Sequence, residues 1–274
     1  MSIAVFWSMY SGGLAPAAVP VGKMSLPTPP DMERAEFYHL KTSWKPRAVL
    51  VLCPGCNDSG EEMVREKEWQ DFARKHQLGV LGVSFASSME VLADWRGYHI
   101  ASQGSGQALL DAVHQIYGKD LPLVLYGFSS GGLFILQFVD WRPERVLSWC
   151  AYASGEGGIQ NQKIGPPGIV ACGEFDAGRY GAMLSYFKIG RAQGKPWLWV
   201  SLPKTDHELS IPLEEFTQTY FSSVLSGKSP TLPIWVDIDR EEAIGGEQAS
   251  DIPSISGWLP RRELLVPWKK LHEP

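Results

Sequence analysis

Long apolar runs are missing from this sequence. The longest uninterrupted stretches, such as Ala48 to Cys53, are strand-sized, well short of the roughly 20 residues that a helix needs to cross a bilayer. A membrane span is therefore not expected. Charge of one sign is also missing: 25 basic residues face 30 acidic ones, for a formal charge of −5, and no long single-sign run occurs. That leaves no electrostatic footprint for nucleic acid or for an anionic membrane surface. Cysteine is scarce, with 4 scattered residues, which excludes a disulfide scaffold. No internal repeat is present, so solenoids and propellers are set aside. The amino terminus has an apolar patch at Ile3 to Trp7 and a small-residue stretch at Leu14 to Val19. It has no basic segment ahead of the patch, and Ser8, Gly12 and Gly13 interrupt it. This is at most a weak secretory signal, and it leaves the compartment open between cytoplasmic and secreted or periplasmic.

What is present is alternation. Hydrophobic residues make up 44% of the chain and charged ones 20%, enough to bury a sizeable core. Short apolar runs bounded by Gly or Pro occur at Ala48 to Cys53, Gly79 to Phe85, Leu121 to Gly127, Val146 to Ala153, Gly168 to Gly173 and Trp197 to Leu202. They read as strands buried on both faces. Between and after them lie helical segments at Glu61 to His76, Gly104 to Tyr117, Gly131 to Val139, Tyr180 to Gln193 and Pro212 to Leu225. In the second of these, Leu109, Val113, Ile116 and Tyr117 recur at helical spacing. Strand and helix alternating in this order predict a largely parallel α/β sheet covered by helices on both faces. The chemistry of such sheets sits at the carboxyl ends of the strands. Residues 1–30, with five prolines, read as an extended lead-in, residues 31–228 as the core, and residues 229–274 as an extension. The extension holds Trp235, Trp258 and Trp268, too many aromatics for a free linker, so it is expected to pack on the core.

At one strand end stands Gly127-Phe128-Ser129-Ser130-Gly131, a Gly-x-Ser-x-Gly pattern placed between a strand and a helix. A nucleophile elbow needs that placement, because the serine takes a strained conformation in a turn that only small neighbours tolerate. Ser129 is then the nucleophile, and the amide of Ser130 donates to a developing oxyanion. A phosphate-binding turn is the plainer alternative, but no Lys follows the glycines and no Gly-x-Gly-x-x-Gly stands here.

A serine hydroxyl needs a base, commonly a histidine held in one tautomer by a carboxylate, in the chain order Ser, acid, His. Of six histidines, four precede Ser129 and His272 lies in the tail, leaving His207 in the loop after the last strand. The strand ending at Gly173 runs into Glu174-Phe175-Asp176-Ala177-Gly178. Asp176 is the chosen acid and Glu174 the alternative, while Asp206 adjoins His207 too closely to orient it. The first of these strands runs into Pro54-Gly55-Cys56-Asn57-Asp58-Ser59-Gly60. A backbone amide here, that of Cys56 or else of Asn57, supplies the second oxyanion donor. On the substrate side, Asn57, Phe128 and the pair Trp95-Arg96 are the candidates. Most of the other tryptophans near the core read as packing.

Loop, elbow, acid turn and histidine loop together resemble the α/β-hydrolase superfamily over roughly residues 45–226. Within it they resemble the dienelactone hydrolases, polyhydroxybutyrate depolymerases and feruloyl esterases. The resemblance implies an eight-stranded, mostly parallel sheet without a large lid domain. It also implies a serine esterase that acts, without cofactor, on a small-molecule or polymer-borne carboxylic ester. Peptidase, thioesterase and non-catalytic binding protein are the alternatives. The chain departs from the pattern at Pro54-Gly55, where many members carry His-Gly, and has no cysteine at the elbow.

Two short stretches have the beginnings of other chemistries. Cys53-Pro54-Gly55-Cys56 is a Cys-x-x-Cys after a strand, but Asn57, Asp58, Ser59 and Gly60 follow it, which is loop chemistry and not the helix start that a thioredoxin-like thiol needs. Asp237-Ile238-Asp239-Arg240-Glu241 begins like a calcium loop, yet Glu242 and Gln248 occupy the places of the turn glycine and closing glutamate. No metal site is expected.

Overall fold

The computed structural model describes residues 19–155, 157, 165–227, 232–244 and 255–273. The amino-terminal patch, all but the last residue of the small-residue stretch, and Gln248 therefore lie outside the described residues. In chain order the elements of the main body are β1 (Val21–Ser25), β2 (Arg34–Leu40), β3 (Ala48–Cys53), α1 (Glu61–Arg65), α2 (Lys67–His76), β4 (Leu78–Ala86), α3 (Met89–Ala93) and α4 (Ser105–Tyr117). They continue as β5 (Leu123–Phe128), α5 (Ser130–Trp141), β6 (Val146–Tyr152), β7 (Gly168–Gly173), α6 (Ala177–Ala192), β8 (Trp197–Leu202) and α7 (Ile211–Leu225). The eight strands form one sheet in the order β1-β2-β4-β3-β5-β6-β7-β8. β1 and β2 run antiparallel to their neighbours, and the other six strands are parallel.

The parallel strands read as apolar runs because helices cover both faces. On one face Leu109 and Val113 of α4, Phe134 and Phe138 of α5 and Phe187 of α6 are buried against the sheet. On the other, Trp69 and Phe72 of α2 pack with Phe216, Tyr220 and Phe221 of α7. β2 escapes an apolar-run reading because Ala35 and Phe37 alternate with the charged, half-exposed Arg34 and Glu36. β1 lies within the proline-rich lead-in, and its Gly22 fits closely over His39 of β2.

The segment Glu61 to His76, read as one helix, is two. Glu66 is extended between α1 and α2, with φ −62° and ψ 126°. The break lets Met63 and Val64 of α1 and Trp69 and Phe72 of α2 all face the core, and Gln70 donates to the Val64 carbonyl at 2.9 Å. α6 begins immediately after Asp176, earlier than its apolar spacing indicates.

The tail adds β9 (Ile234–Asp237), β10 (Glu242–Ile244), β11 (Ser256–Leu259) and α8 (Leu265–Lys270). The three strands form a small antiparallel sheet in the order β10-β9-β11. Trp268 is fully buried and donates its indole N–H to the Trp199 carbonyl of β8 at 3.0 Å. Arg191 of α6 donates to the Ser256 carbonyl at 2.7 Å and lies over the Trp235 ring; burial lowers its pKa to about 10. The calcium-like stretch is the β9–β10 turn, in which the Asp237 carboxylate accepts from the amides of Asp239 and Arg240. Among the described residues no helix is long and apolar enough to cross a membrane.

Glu66 is half-buried, and that burial, together with the charges of Glu214, Glu68 and Glu62, pushes its carboxyl up to about 7. Its charged form is thus penalised only in the folded state. The penalty is absent below the ordinary carboxylate pKa, grows as pH rises and is complete above pH 7. Glu66→Gln is expected to raise the melting temperature at pH 8 and leave it nearly unchanged at pH 4, read by thermal unfolding at both values.

Candidate active site

At the carboxyl edge of the sheet, β5 turns into α5 through Ser129, whose backbone has φ 55° and ψ −123°. A non-glycine residue rarely holds that conformation, so the surroundings must enforce it. Two close approaches do so. A Cβ on Gly127 would lie 2.7 Å from the carbonyl carbon and oxygen of Gly131, and one on Gly131 would collide with the carbonyls of Cys53 and Pro54. The Ser129 amide donates to the Tyr152 carbonyl at 2.9 Å, extending the pairing of β5 with β6 into the turn. The hydroxyl is thereby held above the sheet edge.

His207 arrives on the loop after β8. That loop is joined to the turn after β7: the Phe175 amide donates to the Thr205 carbonyl and the Glu174 amide to the Leu202 carbonyl, both at 2.9 Å. The Tyr152 hydroxyl donates to the Glu208 carbonyl at 2.5 Å. The His207 ring stacks on Phe128, the residue preceding Ser129, with centroids 4.9 Å apart. Its Nε2 lies 3.0 Å from Ser129 Oγ and its Nδ1 2.8 Å from Asp176 Oδ2. An ionised carboxylate only accepts, so Nδ1 carries the proton and Nε2 is left to accept from the serine.

Asp176, 3% exposed, sits immediately before α6, and its second oxygen accepts from Arg179 Nη1 at 3.0 Å. The burial of its charge is offset by a cation and an imidazole N–H. Glu174 faces elsewhere, accepting at 3.3 Å from the Ser201 hydroxyl. Cys172, at the end of β7, is a buried thiol pushed up to about 12 by burial and by the charge of Asp176.

The loop after β3 lies against the elbow: a Cβ on Gly55 would sit 4.0 Å from the Ser129 Cβ. Arg34 of β2 donates to the carbonyls of Asn57 and Asp58 at 2.5 and 2.9 Å. Asn57, at φ 56°, locks the loop to the end of β4, giving its side-chain N–H to the Ser87 carbonyl and accepting the Ser87 amide. Its own amide donates to the Tyr98 hydroxyl at 3.3 Å. Both the amide and the side chain of Asn57 are therefore engaged within the fold. Among the described residues, the amides of Cys56 and Ser130 have no hydrogen-bond acceptor. The four cysteines are free thiols, with Cys53 buried and Cys56 exposed, and burial pushes the Cys53 thiol far up.

Trp95 is 56% exposed. The Arg96 guanidinium is engaged by Asp31 at 2.9 Å and Asp94 at 3.4 Å, so it anchors its loop to the segment after β1. Sequence reasoning did not identify Tyr98, Arg179 or Arg34. Burial, followed by the nearby Cys56 thiol, pushes the Tyr98 hydroxyl up to about 12, opposed by hydrogen bonds involving the Asn57 amide and Ser130. Only Arg179 carried a readable signal, a cation one helical turn beyond the acid.

No protein-family model and no curated protein matches the sequence. Solved structures do resemble it, and they place the chain in one class by architecture: it has the α/β-hydrolase fold. One of them, a proposed dienelactone hydrolase of Klebsiella pneumoniae, shares 14% identity over 77% of this chain and 100% of its own, with a TM-score of 0.57. A hyperthermophilic esterase of Pyrobaculum calidifontis shares 14% identity over 76% of this chain and 86% of its own, with a TM-score of 0.55. The S-formylglutathione hydrolase of Staphylococcus aureus shares 16% identity over 78% of this chain and 100% of its own, with a TM-score of 0.54.

Asn57→Ala removes two hydrogen bonds and puts a Cβ-bearing residue without a local polar side chain at positive φ. It is expected to lower stability by about 1–3 kcal/mol, measured as a shift of the urea midpoint at unchanged slope.

Proposed function

We propose that this protein is a serine hydrolase that cleaves carboxylic esters through an acyl-enzyme on Ser129. The observation that carries this reading is the unbroken hydrogen-bond chain from Ser129 Oγ through His207 to Asp176. Ser129 attacks the carbonyl while His207 Nε2 takes its proton, and the resulting imidazolium is stabilised by Asp176, which stays ionised. Arg179 donates to the second oxygen of that carboxylate and fixes it in place. The amides of Cys56 and Ser130 receive the oxyanion, and their freedom from other acceptors supports this assignment. His207 then protonates the leaving alcohol and activates water for deacylation. Every proton in the cycle is carried by His207, so the reaction calls for no cofactor. The Phe128 ring holds the imidazole in plane as its protonation changes.

The test is a series of nitrophenyl esters of increasing acyl length, with fluorophosphonate labelling of the folded protein. Wild type is expected to hydrolyse the short esters and to be labelled. Ser129→Ala should lose labelling and at least about 10³-fold in kcat, and Asp176→Asn about 10³–10⁴-fold, because the imidazole is then held in the wrong tautomer. Equal rates in wild type and Ser129→Ala would remove Ser129 from the mechanism.

A further inference from the structure

We propose that Tyr98 is a positioning residue for the oxyanion hole, its hydroxyl holding the Cys56 amide at a fixed distance from the Ser130 amide; this rests on the serine-hydrolase reading above. The two amides belong to separate segments, the loop after β3 and the first residue of α5. An oxyanion hole works only when its donors already stand where the charge develops, about 2.7–3.1 Å from that oxygen. Gly131, resting on the carbonyls of Cys53 and Pro54, fixes the root of the loop. The tip, at Cys56 and Asn57, lies beyond that contact and needs an anchor of its own.

Tyr98 reaches the tip. It is 3% exposed, and its hydroxyl accepts the Asn57 amide at 3.3 Å. That amide belongs to the peptide joining Cys56 to Asn57, so the point held is next to the Cys56 amide. The same hydroxyl faces the side chains of Ser130 and Cys56, both of which act on its titration. A phenol oxygen can accept two hydrogen bonds and donate one, enough to take the Asn57 amide and still pair with a side chain at the start of α5. Around the ring, Gly55 of the loop and Gly131 and Phe134 of α5 line a cavity of about 10 Å³, room for no more than a single water. Tyr98 therefore fills the gap between the two segments that carry the donors.

The tyrosine is itself held from elsewhere. It lies in the short turn Gly97–His99, after α3. Its amide donates to Ser87 Oγ at 3.3 Å, and the Ser105 hydroxyl donates to its carbonyl at 2.8 Å. Its ring packs on Phe85, with centroids 6.0 Å apart. Gly97 has φ 74°, and a Cβ there would collide with the Ser87 side chain. The backbone of Ser87 also carries the Asn57 side chain, at 2.9 and 3.1 Å. A closed circuit results: Asn57 side chain to Ser87 backbone, Ser87 hydroxyl to Tyr98 amide, Tyr98 hydroxyl to Asn57 amide. Replacing Tyr98 by phenylalanine keeps the ring and opens this circuit only at the loop tip, which separates positioning from packing.

The experiment measures nitrophenyl acetate hydrolysis, and inhibition by a trifluoromethyl ketone, in wild type, Tyr98→Phe and Ser130→Ala. Ser129 Oγ bonds to the ketone carbon, its proton passes to His207, and the carbonyl oxygen becomes an anion in the hole, so Ki reports on the donors. Rates are counted per site labelled by fluorophosphonate at completion, which leaves unfolded protein out of the comparison. Tyr98→Phe is expected to lower kcat at least about tenfold, to raise Ki at least about tenfold and to leave KM within about twofold. An unchanged kcat, a fall in kcat with Ki unchanged, or a loss carried by KM alone would overturn the assignment. If Tyr98→Phe yields no labelled protein, Ser130→Ala decides, since it keeps the backbone amide and removes only the hydroxyl that Tyr98 faces. A lower kcat with a raised Ki then supports the assignment, and wild-type values of both overturn it. If wild type neither cleaves nitrophenyl acetate nor takes the label, the serine-hydrolase reading fails first and this assignment falls with it.

Discussion

At Gly131 the first turn of α5 rests on the carbonyls of Cys53 and Pro54 with no room for a Cβ, and Gly127 faces Gly131 just as closely. This backbone contact ties the end of β3, the turn at Ser129 and the start of α5 into one unit. The positive φ of Ser129, the direction of its hydroxyl and the nearness of the Cys56 loop all follow from it. A methyl group at either glycine would have to push the loop and the helix apart, and both have their other sides packed. The loop is fixed from behind by Arg34 and Asn57, and the helix by Phe134 and Phe138 against the sheet.

The second half of the site is built on a different pair of strands. β7 and β8 are adjacent and parallel, so their carboxyl ends lie side by side, and the loops that follow exchange backbone hydrogen bonds between residues 173–176 and 202–205. Asp176 and His207 are thus delivered by one stitched assembly and meet Ser129 across β6. Phe128, stacked on His207, and Tyr152, bonded to the Glu208 carbonyl, bridge the halves. The tail supports this assembly from outside: Trp268 bonds to β8 and Arg191 ties α6 to the small sheet. Side chains far from Ser129 therefore bear on how firmly His207 is held.

Local order in the chain was enough for the parallel strands and the tight turn at Ser129, because apolar runs buried on both faces and small residues around a strained turn are local requirements. It was not enough for β2, where half-buried alternation with Arg34 and Glu36 hides the strand, nor for the break at Glu66, which exists because two helices turn their apolar faces to one core. Glu174 and Asp176 stood as alternatives in the sequence; the start of α6 immediately after Asp176 turns that carboxylate toward His207 and leaves Glu174 on Ser201. Asn57 read as a site residue because it sits in the right loop; that its polar groups also bond to Ser87 and Tyr98, 30 and 41 residues away, could not be read locally.

By itself, then, the sequence determined the α/β pattern, the turn that carries Ser129 and the single histidine in the right place along the chain, each a matter of residue type and local spacing. Only the tertiary structure decided which carboxylate meets that histidine, which amides stay free beside the serine, and that Arg179 and Tyr98 belong to the same edge. These depend on contacts between segments remote in sequence, and such contacts exist only once the strands are in register and the loops at their ends have been brought together.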